Sequence, residues 1–160
     1  MVSMFSLEGK NAAVVGGASG IGEAVAIAFA EHGASVLCLD VDITGALDTA
    51  ATITDMGGEA DAGQLNILDG KAVTAAFESF NVRKGSLDIV VCTPGVNVRK
   101  PILDYTDEEI DRVLGVNLKG NAHVIQSAGR IMTSQGSGSI ILFSSIRSVV
   151  VEPGQSMYAA

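Results

Sequence analysis

The chain alternates between short, unbroken apolar runs and longer stretches in which apolar residues recur at helical spacing. Unbroken apolar runs are typical of strands that are buried on both faces of a sheet. Helical spacing of apolar residues indicates helices that pack on one face. The pattern predicts five strands, at Asn11–Val15, Ser35–Leu39, Ala60–Leu65, Leu87–Cys92 and Ser139–Phe143.

Helices are predicted between successive strands, and each has a recognisable start or stop. They span Gly20–His32, Thr44–Met56, a stretch capped by Asp69 that runs to Phe80, and a long helix capped by Asp107 that runs to about Ser134. Because strands and helices alternate through short connections, we expect right-handed βαβ units and an open parallel sheet. The predicted fold class is therefore α/β, a Rossmann-like doubly wound parallel sheet that forms one domain over residues 1–160.

Composition and charge narrow the range of partners. The net charge is −8, and no basic cluster is present that could neutralise the phosphates of a nucleic acid. No apolar run approaches the ~20 residues that a membrane span requires. Cys38 and Cys92 each lie in an apolar strand without an activating neighbour, as buried thiols do in a reducing compartment. We therefore expect a cytoplasmic protein with no nucleic acid, membrane or metal partner.

A glycine-rich turn, Val15-Gly16-Gly17-Ala18-Ser19-Gly20-Ile21-Gly22, joins the first strand to the first helix. Glycine at such a place allows a tight turn, close approach of a pyrophosphate to the backbone, and close packing of the helix. The helix start then offers free N–H groups to the phosphates. A dinucleotide site is the hypothesis that this pattern favours, and a plain tight turn is the alternative.

Asp40 closes the second strand, eighteen positions after Gly22. A carboxylate at that place can accept hydrogen bonds from both ribose hydroxyls of NAD and would repel the additional phosphate of NADP. The alternative is an ordinary turn aspartate in Asp40-Val41-Asp42. The predicted cofactor is NAD, with NADP less favoured.

Ser145 follows the fifth strand, and Tyr158 comes thirteen residues later. Together with the glycine-rich turn, these residues resemble the short-chain dehydrogenase/reductase family, whose members bind a nicotinamide dinucleotide and move a hydride to or from a carbonyl carbon. The resemblance implies the strand order 3-2-1-4-5. It also implies that Ser145 hydrogen-bonds the substrate oxygen and that Tyr158 is the general acid/base. The alternative is that both are ordinary loop residues.

A free tyrosine has a pKa near 10 and therefore needs help to lose its proton at neutral pH. In the family, a lysine one helical turn later and the positive nicotinamide ring supply that help. The lysine position lies beyond Ala160. We therefore expect the chain to cover about the N-terminal two-thirds of such a fold, with the C-terminal strands and helices missing. A polypeptide of residues 1–160 alone is expected to be inactive. A non-catalytic dinucleotide-binding or scaffold module is the alternative function if the chain is naturally this short.

The resemblance also carries over to further positions of this sequence. Asn117 lies in Val116-Asn117-Leu118-Lys119-Gly120, which is similar to the family's N-x-x-G segment, where the asparagine interrupts a helix and holds a water in a proton relay. A polar residue that simply faces solvent is the alternative. Besides the glycines and Asp40, the implied cofactor contacts are Ser19, Ile21, Val41, Asn66, Ile67, Thr93 and Gly95.

Two departures from the family pattern accompany these matches. Val15 stands where a threonine is usual, and Cys92-Thr93-Pro94-Gly95 keeps only the glycine of the usual Asn-Asn-Ala-Gly. Arg147, and also Arg99, could bind an anionic group of the substrate because a guanidinium fits a carboxylate, whereas a solvated surface arginine is the alternative. The expected partners are a small alcohol or ketone substrate and, for the full-length protein, further copies in a homo-tetramer or dimer.

Overall fold

Residues 4–160, which the computed structural model describes, form a parallel sheet with helices on both faces. The strands are β1 (Asn11–Val15), β2 (Ser35–Asp40), β3 (Glu59–Gln64), β4 (Ile89–Cys92) and β5 (Ser139–Leu142). Their order across the sheet is β3-β2-β1-β4-β5, and every neighbouring pair is parallel. The predicted Rossmann-like α/β class and the strand order 3-2-1-4-5 are confirmed.

The helices follow the strands in alternation. They are α1 (Gly20–Glu31), α2 (Ile43–Asp55), α3 (Gly70–Lys84), α4 (Asp107–Leu114), α5 (Asn121–Gln135) and α6 (Ser156–Ala159). A π-helical segment, Gly115–Gly120, joins α4 to α5, and short 3-10 turns occupy Ile102–Asp104 and Ile146–Ser148.

Alternate residues of the central strand supply two separate cores. Ala13 and Val15 of β1 point to the face covered by α3 and α5, where Phe77 and Phe80 are fully buried. The intervening residues of β1 pack against the helices of the opposite face. Each fully buried phenylalanine stabilises the fold by about 1.5–3 kcal/mol relative to an exposed one. Burial of both faces explains why the strands read as continuous apolar runs.

Most predicted ends agree with the structure to within two residues, including β4, which starts two residues later than predicted, but α3 runs on to Lys84 rather than ending at Phe80. Leu87, the predicted first residue of β4, uses its carbonyl to accept a hydrogen bond from Gln135 Nε2 at 2.7 Å. Leu87 therefore lies outside the strand because it is bonded to the end of α5. Asp88 already bonds to both neighbouring strands: its N–H donates to the Asn11 carbonyl at 2.9 Å, and its carbonyl accepts from the Ser139 N–H at 2.9 Å.

The long helix predicted from Asp107 to about Ser134 was wrong in two details. Thr106, not Asp107, is the N-cap: its hydroxyl accepts from the Glu109 N–H at 3.4 Å, and the Glu109 carboxylate accepts from the Thr106 N–H at 2.9 Å. Such a reciprocal pair satisfies two free donors at a helix start. The helix is also interrupted by the π segment that contains Asn117, the residue at which the family resemblance implied an interruption.

Candidate active site

A cleft of about 480 Å³ opens at the carboxyl ends of β1, β2 and β4. The strand order reverses between β1 and β4, and in open α/β sheets ligands bind at that crevice. Ten of the sequence-predicted cofactor residues line it: Gly16, Ser19, Gly20, Ile21, Asp40, Val41, Asn66, Ile67, Thr93 and Gly95. The structure thus brings together residues that lie far apart in the sequence.

The glycine-rich turn is packed so closely that side chains do not fit at two of its positions. Gly16 has a φ of +85°, and a Cβ there would lie 2.2 Å from Thr93 Oγ1. Gly22, the one predicted glycine outside the cleft lining, is buried beneath the turn, and a Cβ there would lie 1.9 Å from the Gly16 carbonyl oxygen. These two glycines therefore keep the turn tight and closely packed within the protein.

Thr93 holds this turn from the β4 side. Its hydroxyl lies 3.1 Å from the Val15 carbonyl oxygen and 3.3 Å from that of Gly16, so it can donate to either. The Thr93 N–H also donates to the Val15 carbonyl at 3.0 Å. In this way a hydroxyl on the neighbouring strand fixes the turn in a chain that has valine, not threonine, at position 15.

The start of α1 faces the cleft with its donors uncapped. Ser19 is the N-cap residue, yet its side chain makes no capping hydrogen bond, and it is exposed. The first N–H groups of a helix have no partner within the helix, and the helix dipole adds partial positive charge there. The Ser19 hydroxyl and these N–H groups therefore form a place where a phosphate could bind.

Asp40 presents a fixed carboxylate at the opposite side of the turn. One of its oxygens accepts from the Ala18 N–H at 3.1 Å, and the other accepts from the Asp42 N–H at 3.0 Å. A carboxylate has about four acceptor positions, so each oxygen retains the capacity to accept from a ligand hydroxyl. The two backbone donors orient the carboxylate and leave acceptor positions available for a ligand.

The far wall of the cleft is the loop after β3, which contains Asn66 and Ile67. The Asn66 side chain accepts from the Leu68 N–H at 3.0 Å, so it shapes its own loop. The Ile67 carbonyl lies 2.8 Å from Nδ1 of His123, a half-buried residue of α5. Sequence reasoning missed His123, because a lone histidine in a helix belongs to no motif.

Asn117 does not simply face solvent. Its Nδ2 donates to the Val96 carbonyl at 2.9 Å, and its Oδ1 accepts from the Val96 N–H at 2.8 Å. Its own carbonyl accepts from Asn121 Nδ2 at 2.9 Å within the π segment. The side chain thus holds the loop after β4, while its part in a proton relay stays a prediction.

Ser145 and Tyr158 both lie on the segment after β5. The Ser145 hydroxyl accepts from the Arg147 N–H at 3.2 Å and so starts the 3-10 turn. Tyr158 is half-buried in α6, which packs against α4. Within residues 4–160 no hydrogen bond joins the two hydroxyl groups, so their joint catalytic role stays a prediction.

Arg147, the predicted substrate residue, is paired within the protein. Its guanidinium forms an ion pair with one oxygen of Glu152, and Arg99 pairs with the other oxygen at 3.1 Å. The Glu152 carboxylate, on the segment that leads to α6, therefore binds two guanidiniums. Arg147 is not free to bind an anionic substrate unless this pair opens, and its predicted role remains untested.

The cysteines and potential metal ligands among residues 4–160 indicate no additional chemistry. Burial raises the pKa of the Cys38 thiol to about 11 and that of the Cys92 thiol to about 12, so neither is a nucleophile at neutral pH. Residues 4–160 contain no group of three or more histidine, cysteine or acidic residues that could hold a metal ion. Among the same residues, no helix is both long and apolar enough to cross a bilayer.

The parallel sheet, its strand order and the cleft at its reversal define a Rossmann-like α/β protein. Comparison with known proteins identifies the family within that class. The family model described as short chain dehydrogenase matches residues 10–160. The chain belongs to the short-chain dehydrogenase family, whose members bind a nicotinamide cofactor.

Characterised relatives and solved structures agree with this membership. The chain is 32% identical over 154 residues to the 3-oxoacyl-[acyl-carrier-protein] reductase FabG of Thermotoga maritima, covering 96% of this chain and 63% of the relative. It is 32% identical to the D-threitol dehydrogenase of Mycolicibacterium smegmatis, covering 98% of this chain and 60% of the relative. A short-chain type dehydrogenase/reductase from Mycobacterium marinum superposes with a TM-score of 0.93 at 31% identity, over 98% of this chain and 64% of that one.

The chain thus spans less than two-thirds of the length of these relatives. The part that matches contains the cleft, Ser145 and Tyr158.

Proposed function

We propose that the intact protein is an NAD-dependent oxidoreductase that transfers a hydride between nicotinamide and the carbon of an alcohol or carbonyl substrate. The observation that carries the proposal is the cleft, in which the glycine turn, the uncapped start of α1 and the Asp40 carboxylate face one space. The family membership supports the reaction type.

The residues of the cleft fit a dinucleotide. Gly16 and Gly22 leave no room for a Cβ, so the turn stays tight, and Gly20, where a Cβ would meet nothing within 4 Å, leaves its backbone open to a pyrophosphate. The start of α1 and Ser19 provide donors for phosphate oxygens, and Asp40 provides acceptors for two ribose hydroxyls. When bound, the nicotinamide supplies the carrier for the hydride.

Asp40 favours NAD over NADP. The carboxylate is already oriented by two backbone donors, and it would repel a phosphate on the ribose hydroxyl that it accepts from. Gly45, which follows at the start of α2, has no side chain with which to bind such a phosphate. We therefore propose NAD as the working cofactor.

Ser145 and Tyr158 provide the proton chemistry in this proposal. Ser145 donates a hydrogen bond that orients the substrate oxygen, and Tyr158 takes the proton from that oxygen when the alcohol is oxidised. The carbon loses a hydride and the oxygen loses a proton, so a carbon–oxygen double bond forms. In the reverse direction Tyr158 returns the proton to the oxygen.

The substrate class follows from this chemistry and from the relatives. The D-threitol dehydrogenase supports a small alcohol, and the 3-oxoacyl-[acyl-carrier-protein] reductase supports a ketone carbonyl as the reacting group. We further propose a homo-dimer or homo-tetramer in the cytoplasm. Exposed apolar side chains on the π segment and on α5, such as Leu118 and Ile125, support association with further copies.

The experiment is steady-state turnover of the intact protein with NAD and a panel of alcohols and polyols, run beside Tyr158→Phe. The variant should bind NADH like the wild type and lose about 10²–10⁴-fold in turnover, since only the proton-transfer group is removed. Tyr105→Phe is the matched control, because the Tyr105 hydroxyl donates to the Val98 carbonyl and lies outside the proposed chemistry. Near-wild-type turnover of Tyr158→Phe would refute the proposed mechanism.

A further inference from the structure

His123 joins helix α5 to the far wall of the cleft. Its Nδ1 lies 2.8 Å from the carbonyl oxygen of Ile67. Ile67 is buried, and it lines the cleft beside Asn66. A carbonyl oxygen can only accept, so the histidine must carry its proton on Nδ1 when this bond is made. The bond therefore fixes both the ring tautomer and the direction of the Ile67 carbonyl.

The contact leaves little freedom for the wall to move. A Cβ on Gly120 would lie 2.5 Å from Ile67 Cδ1, and a Cβ on Gly70 would lie 3.1 Å from the His123 ring. Glycines thus allow α5 and the start of α3 to close around the Ile67 peptide. Because the helix lies this close to the loop after β3, we expect a change at His123 to shift the loop backbone, since no empty space is available to accommodate it.

Both ends of the loop after β3 are held by other hydrogen bonds. The Leu65 N–H donates to the Asp40 carbonyl at 2.7 Å, and the Asp69 N–H donates to the Asn66 carbonyl at 3.0 Å. Between these points, His123 is the partner that the structure gives to the Ile67 carbonyl. Without His123, the Ile67 carbonyl would lack this hydrogen-bond donor, and the positions of Asn66 and Ile67 would no longer be fixed.

We propose that His123 is a positioning residue for the base-binding end of the cofactor cleft. By fixing the Ile67 peptide, it sets Asn66 and Ile67 at the distance from the glycine turn that the adenine of the cofactor requires. This inference rests on the proposed function, since it assumes that a dinucleotide binds in the cleft. It assigns His123 no contact with the reacting atoms.

The test compares three variants of the intact protein in their affinity for ADP-ribose and for nicotinamide mononucleotide. His123→Asn places an amide nitrogen near the position of Nδ1, so it keeps the donor. His123→Gln places the amide nearer the position of Nε2, so it loses the donor while staying polar. His32→Phe is the control, because His32 makes the same kind of bond, 2.8 Å to the Ala28 carbonyl, at an exposed position at the end of α1.

We expect His123→Gln to weaken ADP-ribose binding about fivefold, as loss of one hydrogen bond would. His123→Asn and His32→Phe should stay within about twofold of the wild type on the same scale. Nicotinamide mononucleotide affinity, and kcat at saturating NAD, should not change in any variant. This split separates positioning of the base end from a general structural role.

Equal ADP-ribose affinity in His123→Gln and the wild type would overturn the inference while leaving the proposed function intact. Parallel loss of both ligands in His123→Gln would also overturn it, because the effect would then be global. If circular dichroism shows that His123→Gln is unfolded, wild-type ADP-ribose affinity in His123→Phe would serve as the overturning result. Wild-type protein that binds neither ligand would refute the proposed function itself.

Discussion

Replacing Gly22 with alanine is expected to destabilise the protein because the new Cβ has no space. It would lie 1.9 Å from the Gly16 carbonyl oxygen and 2.7 Å from the carbonyl carbon, both of them backbone atoms. Alanine gains about 1 kcal/mol of helix propensity over glycine, but forced overpacking costs about 1–3 kcal/mol and sometimes more. The close contact with backbone places Gly22→Ala at the upper end of that range, so we expect a net loss of about 2 kcal/mol.

The control is Gly129→Ala, a glycine-to-alanine change inside α5 where a Cβ would meet nothing within 4 Å. Both changes carry the same gain in helix propensity, so the difference between them isolates the clash. Thermal unfolding should show Gly22→Ala lowered by about 4–8 °C and Gly129→Ala unchanged or raised. If Gly22→Ala unfolds at or above the temperature of Gly129→Ala, the close packing of the turn is not what the structure indicates.

Three further predictions concern the turn, the thiols and one half-buried carboxylate. Thr93→Val should lower the free energy of unfolding by about 1 kcal/mol, measured by urea denaturation, because the hydroxyl donor to the turn is lost while the shape is kept; an unchanged midpoint would contradict that role. Cys38 and Cys92 should resist a thiol reagent at pH 8 in the native protein and react on unfolding, since burial raises both pKa values; fast native labelling would contradict this. Asp88 has its pKa lowered: burial alone would raise it, but hydrogen bonds from Ser86 and from the Asn11 N–H and the charge of a nearby lysine outweigh burial. A carboxyl pKa that is lower in the folded protein than in the unfolded chain stabilises the folded protein at pH values above the unfolded pKa. The stability deficit of Asp88→Asn should therefore shrink as pH falls below about 4. A deficit that does not vary with pH would contradict this prediction.

The sequence was sufficient for the sheet because burial on both faces leaves a strong signal. Strands such as β1 are apolar at every buried position, and a glycine turn must follow where the helix packs close. The acidic residue that ends β2 is similarly readable, since only its place after a strand matters. These features depend on local pattern, and so they can be recognised before the fold is known.

The contacts that shape the cleft were less accessible to sequence reasoning. The family resemblance implied an interruption of the helix at Asn117, but helical spacing carries no trace of the pair that its side chain forms with the backbone of Val96, twenty-one residues away. Glu152 pairs with both Arg99 and Arg147, so the arginine predicted to bind substrate also takes part in an internal ion pair. Each depends on two segments meeting in space.

Fluorescence titration of the intact protein with NADH and with NADPH tests the proposed role of the cleft most directly. We expect the protein to bind NADH at least about tenfold more tightly than NADPH, because repulsion between the Asp40 carboxylate and the additional phosphate costs this much or more. Asp40→Ser should narrow the ratio, whereas Asp42→Ser, which removes the same charge from the cap of α2, should leave it unchanged. Tighter binding of NADPH by the wild type, or binding of neither nucleotide, would contradict the role given to this cleft.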